Sequence, residues 1–430
     1  MITHLDNVIG LITDIINDSL ERSHVPGSFK EAVVILLLKK SNLSPEEPKS
    51  FRPVSNLPFI SKILEKVVLS QLKDHLKNND LNECFQSAYR LNHNTETALV
   101  KVQNDLLCQA DKGKVSLLVL LDLSAAFDTI DHNILIERLA QSYGIGGKVL
   151  DWFKSYLLGR SQSVLIGDLK SASVSLEFGV PQGSVLGPML YTLYTQPLGA
   201  LIRKHNVEFH MYADDTQLYM STFPGDQSLM LKTMEECVYD VKSWMNDNKL
   251  KMNEEKTEVM LCDPKEKCES ISNYICIENE QVQFTEKARN LGIIFDNKLS
   301  MDHHLKYLSS ILFCELRRIG QMAPFLNETS LKTLMSAFIL SRMDYCNYLF
   351  VNLSDESLNK LQRFQNRAAK LFFRKKKHDH VSPLLIKLHW LPVKERVSYK
   401  IALLCHKCIH EKAPSYLINL INIYIHHHDH

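Results

Sequence analysis

The chain has 430 residues, 45% of them hydrophobic, and a formal net charge of +1. That composition is too apolar for a disordered chain, and the length allows two or three domains. The near-zero charge excludes a global field drawing the protein to nucleic acid, so any such binding must rely on local patches.

Residues 1–22 place Leu5, Val8, Ile9, Ile12, Ile15, Ile16 and Leu20 on one stripe, which predicts a helix ended by Pro26-Gly27. Residues 32–38 form an apolar strand candidate running into Lys39-Lys40. Residues 41–58 are polar and carry four prolines, which predicts loop or turn. A helix follows over 60–76. Residues 115–121 are a continuous apolar run, the pattern of a fully buried strand. Residues 131–143 and 149–158 read as helices, and 164–166 with 173–180 as hairpin strands around Gly167-Asp168. A Gly/Pro-rich elbow and one helix to about residue 201 come next. Two strand-like runs, 207–211 and 217–220, then flank Tyr212-Ala213-Asp214-Asp215. Leu231, Met234, Val238, Val241 and Met245 fall at helical spacing, the mark of a core-facing helix over 226–245. Residues 291–295 form a strand with Asp296-Asn297 as its turn. From 303 onward the pattern is helical almost throughout, and the His-rich end (His426, His427, His428, His430) reads as frayed tail.

The 10 cysteines are scattered through apolar patterns, as at Cys237, Cys314 and Cys346. This predicts buried thiols in a reducing compartment rather than a disulfide framework. Residues 1–20 mix Asp and Asn into an amphipathic pattern, unlike a signal peptide, and the apolar run at 32–38 is far too short to span a membrane. The expectation is a soluble intracellular protein without membrane contact, in nucleus or cytoplasm.

Adjacent carboxylates at a hairpin tip repel, so in a partly desolvated site Asp214 and Asp215 must share a proton or meet a cation. That points to a divalent metal, with Asp122, at the end of the buried strand, as the third carboxylate. Five blocks occur in order. They are Leu121-Asp122-Leu123-Ser124-Ala125-Ala126-Phe127-Asp128, the elbow Gly179-Val180-Pro181-Gln182-Gly183-Ser184-Val185-Leu186-Gly187-Pro188, the Tyr212–Asp215 tetrapeptide, Asn253-Glu254-Glu255-Lys256-Thr257, and Asn290-Leu291-Gly292-Ile293-Ile294. These resemble palm motifs A to E of reverse transcriptases, specifically those of LINE-type (non-LTR) retrotransposons of the jockey and chicken-repeat kind. Phe51-Arg52-Pro53-Val54-Ser55-Asn56-Leu57 is similar to the fingers motif of that group. Asp344-Tyr345-Cys346-Asn347 and Leu388-His389-Trp390-Leu391-Pro392-Val393 resemble the segment after the polymerase.

The resemblance implies an α+β right-hand polymerase. Residues 1–30 are expected as a helical N-terminal extension, and 31–300 as fingers and a palm of antiparallel sheet backed by helices. Residues 301–430 are expected as a helical thumb and C-terminal region. The implied activity is RNA-directed DNA synthesis from an RNA template, a DNA primer and deoxynucleoside triphosphates, with two Mg²⁺ ions or Mn²⁺ in their place. Asp122, Asp214 and Asp215 hold the metals by this resemblance. Phe127 excludes a ribose 2′-hydroxyl, and Gln182 and Gly183 contact template base and nucleotide. Arg52, with Lys39 or Lys40, is expected to hold the triphosphate. Lys256 either protonates the pyrophosphate or plays a structural part. The basic run Arg363, Arg367, Lys370, Arg374, Lys375, Lys376, Lys377 falls in the expected thumb, where phosphate contacts to the duplex are salt-sensitive.

Cys405-His406-Lys407-Cys408 with His410 lacks a second ligand pair at zinc-finger spacing and lies within an expected helix, against a zinc site. The resemblance starts within the first 30 residues, leaving no room for the endonuclease such proteins carry, so a missing nuclease domain or partner is expected. The competing readings are a catalytically silent retrotransposon-derived fragment that only binds nucleic acid, and another palm polymerase such as an RNA polymerase or intron maturase. Phe127 and the Leu388–Val393 block argue against the last.

Overall fold

The computed structural model describes residues 2–40, 43–124, 127–266, 273–278 and 280–421. Ala125-Ala126 of the first block and the His-rich end lie outside the described residues. Helix α1 (Ile2–Glu21) precedes strands β1 (Glu31–Leu38) and β2 (Phe51–Asn56). Helices α2 (Phe59–Asn78) and α3 (Thr95–Asp111) lead to β3 (Val115–Leu121) and β4 (Leu123–Ser124). Helices α4 (His132–Gln141) and α5 (Gly147–Leu157) follow, then β5 (Arg160–Ile166), β6 (Leu169–Lys170) and β7 (Val174–Leu176). Next come α6 (Gly187–Thr195), α7 (Pro197–Lys204), β8 (Glu208–Tyr212), β9 (Asp215–Thr222), α8 (Gln227–Asp247) and β10 (Lys251–Met252). Strands β11 (Glu258–Cys262), β12 (Tyr274–Ile277), β13 (Glu280–Gln283), β14 (Lys287–Asn290) and β15 (Ile293–Asp296) complete the β part. Helices α9 (Asp302–Met322), α10 (Glu328–Met335), α11 (Ser341–Asp344), α12 (Asp355–Phe372), α13 (Ser382–Leu388), α14 (Val393–Ile409) and α15 (Ser415–Ile418) follow. The fold is α+β, as expected.

The chain forms two compact units. The first comprises Met1–Tyr89, Asp122–Asn206 and Cys237–Glu255; the second comprises Arg90–Leu121, Val207–Glu236 and Lys256–His430.

In the first unit a mixed sheet has the order β2-β1-β5-β6, with β7 also pairing β5. Strand β2 corrects the expectation of loop over 41–58. It pairs antiparallel with β1, and Pro53 stands opposite Leu36. Proline cannot donate to a ladder, but β2 is an edge strand, where no second neighbour needs that donor. The expected hairpin at Gly167-Asp168 joins β5 to β6, while the later strand, β7, pairs back to the start of β5. The single helix expected to about residue 201 is two, since Pro197 at the first turn of α7 has no N–H to continue α6.

In the second unit an antiparallel sheet has the order β11-β3-β9-β8. All seven residues of β3 are buried, as its apolar run requires, and the one polar member, Ser116, shares a hydrogen bond with Ser221 at 2.7 Å. One face carries Leu118, Leu120, Tyr219 and Met260 into a core shared with Leu99, Val102 and Leu106 of α3, Leu308 and Leu312 of α9, and Leu361 and Ala368 of α12. Each such leucine contributes roughly 1.5–3 kcal/mol on burial. Cys237 and Cys346 are buried as expected, but Cys314 is exposed, because it falls on the outward face of α9. Among the described residues no helix is long and apolar enough to cross a membrane.

Candidate active site

Strands β8 and β9 form a tight hairpin in which Tyr212 pairs with Asp215, leaving Ala213 and Asp214 as the turn. Such a turn demands left-handed backbone, and Ala213 takes it with φ +56°. An alanine there stores roughly 1–2 kcal/mol of strain. Asp214 and Asp215 are half-buried. In the neighbouring ladder Leu121, the last residue of β3, stands opposite Thr216 of β9. In the chain Asp122 follows Leu121, and Asp215 precedes Thr216.

Asp122 is held by a residue 131 positions away. Asn253 donates its backbone N–H to the Asp122 carbonyl at 2.9 Å, and its side-chain Nδ2 lies 3.3 Å from Asp122 Oδ2. The pairing of β10 with β4 (Met252 opposite Leu123) carries Asn253 there. Sequence reading singled out Lys256 in this block and overlooked Asn253. Lys256 itself is exposed, in the short 3₁₀ turn Glu254–Lys256.

Phe127 is half-buried and stacks on Tyr191 of α6, with ring centroids 5.0 Å apart. Its carbonyl accepts from Val180 N–H at 2.9 Å, and Ile130 accepts from Gly179 N–H at 2.8 Å. His132 Nε2 lies 2.8 Å from the Gly179 carbonyl; a carbonyl only accepts, so this nitrogen carries the proton. A methyl on Gly179 (φ +83°) would come within 2.8 Å of the Asp128 backbone oxygen. Phe127 is therefore fixed through its backbone by the elbow.

The elbow meets β2 just as closely. Ser55 N–H donates to the Gln182 carbonyl at 2.7 Å. Gly183 has φ +124°, and a Cβ there would stand 2.6 Å from the Ser55 oxygen. Behind it, the buried Glu65 of α2 accepts from Val185 N–H at 2.6 Å and Leu186 N–H at 3.0 Å. A carboxylate at the entry to α6 satisfies backbone donors there and suits the helix dipole. Glu65 escaped sequence reading because an isolated Glu in a helical pattern looks like a solvated face.

Arg52 is exposed on β2, opposite Leu37. Lys39 and Lys40 are exposed at the end of β1; Lys39 Nζ donates to the Lys49 carbonyl at 3.0 Å. The first unit thus contains Arg52, Lys39, Lys40, Asp122, Phe127, Gln182 and Gly183, and the second contains Asp214, Asp215 and Lys256.

Of the basic run, Arg363 and Arg367 are exposed on α12, and Arg374 to Lys377 are exposed beyond it. Lys370 closes that loop, donating to the Lys377 carbonyl at 2.6 Å. The Leu388–Val393 block is a packing device. Gln365 Nε2 donates to the Leu391 carbonyl at 2.8 Å, Val393 N–H donates to Gln362 at 2.7 Å, and Trp390 is buried.

Asp122 in the first unit, and Asp214 and Asp215 in the second, each offer carboxylate oxygens, the donors that hard divalent cations prefer. Among the described residues no three His, Cys, Asp or Glu side chains converge as a preformed cage. Mg²⁺ takes one or two carboxylates and completes its shell with water and substrate phosphates, and the adjacent Asp214 and Asp215 of the second unit are donors of that kind.

Residues 38–309 match the family model described as reverse transcriptase (RNA-dependent DNA polymerase). The chain is 28% identical over 330 residues to the probable RNA-directed DNA polymerase from transposon BS of Drosophila melanogaster, covering 74% of this chain and 35% of that protein. It is 26% identical over 337 residues to the RNA-directed DNA polymerase from mobile element jockey of the same fly, covering 76% and 35%. The probable polymerase from its transposon X-element is 25% identical over 369 residues, covering 84% and 39%. The chain therefore spans little more than a third of the length of these relatives. Among solved structures, telomerase from Candida albicans in complex with a TWJ fragment of telomeric RNA aligns with 87% of this chain and 65% of that one, at TM-score 0.46 and 13% identity.

Proposed function

The chain belongs to the reverse transcriptase (RNA-dependent DNA polymerase) family, and on that premise we propose that it is the polymerase portion of a LINE-type retrotransposon protein. It extends a DNA primer on an RNA template with deoxynucleoside triphosphates. The observation that carries this reading is the register of β3 on β9, which ends at Leu121 opposite Thr216. The next residue on one strand is Asp122, and the residue before Thr216 on the other is Asp215.

The family uses divalent metal ions. In this reading Asp122 and Asp214 would be the main ligands of two Mg²⁺, and Asp215 would help hold the primer-side ion or its waters. When bound, the pair stabilises the attacking and leaving oxygens of an in-line displacement. Asn253 keeps the Asp122 carboxylate oriented. Arg52 and a β1 lysine hold the triphosphate, and Phe127, seated on Tyr191, closes the space a 2′-hydroxyl would need. Lys256 supplies a proton to the pyrophosphate. Arg363, Arg367 and Arg374–Lys377 contact duplex phosphates. An endonuclease would come from a part of the relatives' length that this chain does not match.

Primer extension on an RNA template with Mg²⁺ tests the proposal. Parent protein is expected to extend, and Asp214→Asn to lose at least about 10³-fold in rate while keeping its melting temperature and RNA affinity. An active Asp214→Asn protein would falsify the metal assignment. A folded parent that binds RNA but never extends would favour the silent fragment.

A further inference from the structure

The catalytic hairpin has a buried polar backing that the reaction does not explain. His210 of β8 and Gln217 of β9 stand opposite each other in the ladder. Gln217 accepts from Asn290 Nδ2 at 2.8 Å, and His210, Gln217 and Asn290 are all buried. These residues come from the two strands of the hairpin that carries Asp214 and Asp215, and from the β14–β15 hairpin.

Two tyrosines of the C-terminal region hold this layer, and both are fastened to the first turn of α3. The Tyr416 ring of α15 meets the His210 ring edge-on at 5.1 Å, and the His93 ring at 5.8 Å. Its hydroxyl donates to Thr97 Oγ1 at 3.1 Å. The Tyr345 hydroxyl lies 2.6 Å from the Leu291 carbonyl and 3.1 Å from Thr95 Oγ1. A carbonyl only accepts, so Tyr345 donates to Leu291 and receives from Thr95. Between the two threonines Glu96 binds the Lys400 ammonium at 2.9 Å and accepts from Cys346 N–H at 3.0 Å. One helical turn thus fastens four points that are 250 or more residues away in sequence.

We propose that Tyr416 is a positioning residue for nucleotide addition, acting through His210 to fix the strand that presents Asp214 and Asp215. The proposal rests on the polymerase reading. Polar side chains in a packed layer have few alternative partners, so the Asn290–Gln217 hydrogen bond and the ring contact on His210 restrict the layer to few geometries. Emptying the space occupied by the Tyr416 ring frees His210 to move and lets β8 shift along its ladder. Displacements well under a strand spacing are enough to slow an in-line reaction.

The test compares Tyr416→Phe and Tyr416→Ala with the parent chain. Tyr416→Ala is expected to lower kcat for single-nucleotide addition about tenfold, with KM for the deoxynucleotide within about twofold. Tyr416→Phe keeps the ring and is expected to keep at least half the parent kcat. Carbethoxylation by diethyl pyrocarbonate, read by mass spectrometry on native protein, reports the backing without any activity. His210 is expected to be protected in the parent and in Tyr416→Phe, and modified in Tyr416→Ala while the buried His304 stays protected. Equal kcat in all three proteins overturns the proposal, as does His210 protection in Tyr416→Ala. Modification of His304 together with His210 means general unfolding and also overturns it. An inactive parent counts against the polymerase reading, and the protection pattern then decides on the backing alone.

Discussion

The elbow region of the first unit and the hairpin backing of the second solve the same problem with different materials. Around Gly179, Gln182 and Gly183 main chain is laid directly on main chain: Ser55 N–H on the Gln182 carbonyl, Val180 N–H on the Phe127 carbonyl. Behind Asp214 and Asp215 the contacts are made by side chains: the buried His210, Gln217, Asn290 and Tyr416, and the half-buried Tyr345 on the Leu291 carbonyl. These main-chain contacts cannot be retuned by substitution and carry no titratable group of their own, although Glu65 and His132 brace the elbow beside them. Side-chain contact can be adjusted residue by residue, and it exposes the site to pH. The two regions should therefore fail in different ways.

The largest effect is expected where the backbone leaves no room. Gly183→Ala combines a φ that L-residues avoid with a methyl 2.6 Å from the Ser55 oxygen. Neither atom is the end of a flexible side chain, so β2 or the elbow must move. A loss of about 3–5 kcal/mol in chemical denaturation is expected. Gly225→Ala is the control, with φ +110° and open space around it; it carries the backbone penalty without the clash. Equal losses in the two variants would break the comparison, because they would show that close approach at Ser55 adds nothing.

The second effect belongs to the side-chain region and appears on acidification. Burial lowers the His210 pKa to about 3, with Lys101, His93 and Arg90 adding repulsion. Burial lowers that of His304 to about 4, with Arg289 adding to it. Both stay neutral in the folded protein while the unfolded chain takes up protons near pH 6.5. Their contribution is complete above that pH and is lost as pH falls from about 6.5 toward 4 for His304 and toward 3 for His210. At pH 5 each histidine is expected to remove about 2 kcal/mol. His304 Nδ1, 3.4 Å from Ile294 N, also loses an acceptor role when protonated. Hydrogen exchange at pH 5 and 7.5 should show amides of β8 and β15 losing protection while those of β1 and β2 hold. Uniform loss across both sets would blur the distinction between the regions.

What sequence could show follows the same division. Strand β3 was legible because burial on both faces leaves Ser116, paired with Ser221, as its one polar position. The Tyr212–Asp215 hairpin was legible because adjacent carboxylates need a reason. Backbone contacts were half legible: Pro181 and the glycines marked an elbow but not that it lies on Ser55. Strand β2 was hidden by Pro53, whose edge placement depends on the neighbours it lacks. Helix α3 was passed over altogether, although Asn94 caps it and Leu99, Val102 and Leu106 fall at helical spacing. Side-chain partners were the least legible. Nothing near Asp122 indicates Asn253, and nothing in the Asp344–Asn347 block says that Tyr345 reaches Leu291.

The smallest effect should come from a surface that shares neither device. Arg374 to Lys377 are exposed beyond α12, where Lys376 N–H takes the Asp379 carboxylate at 2.8 Å and Lys370 ties down the Lys377 carbonyl. Both anchors use main chain at the lysines, so replacing Lys375 and Lys377 by alanine leaves the loop closed. Stability should change by under about 0.5 kcal/mol. If these ammonium groups meet duplex phosphates, each one removed lowers the slope of log affinity against log salt by about 0.9 at most. An unchanged slope would place the duplex elsewhere. A lowered slope with unchanged melting would add a third behaviour to the comparison: a region whose chemistry is charge alone, independent of how the two packed regions are held.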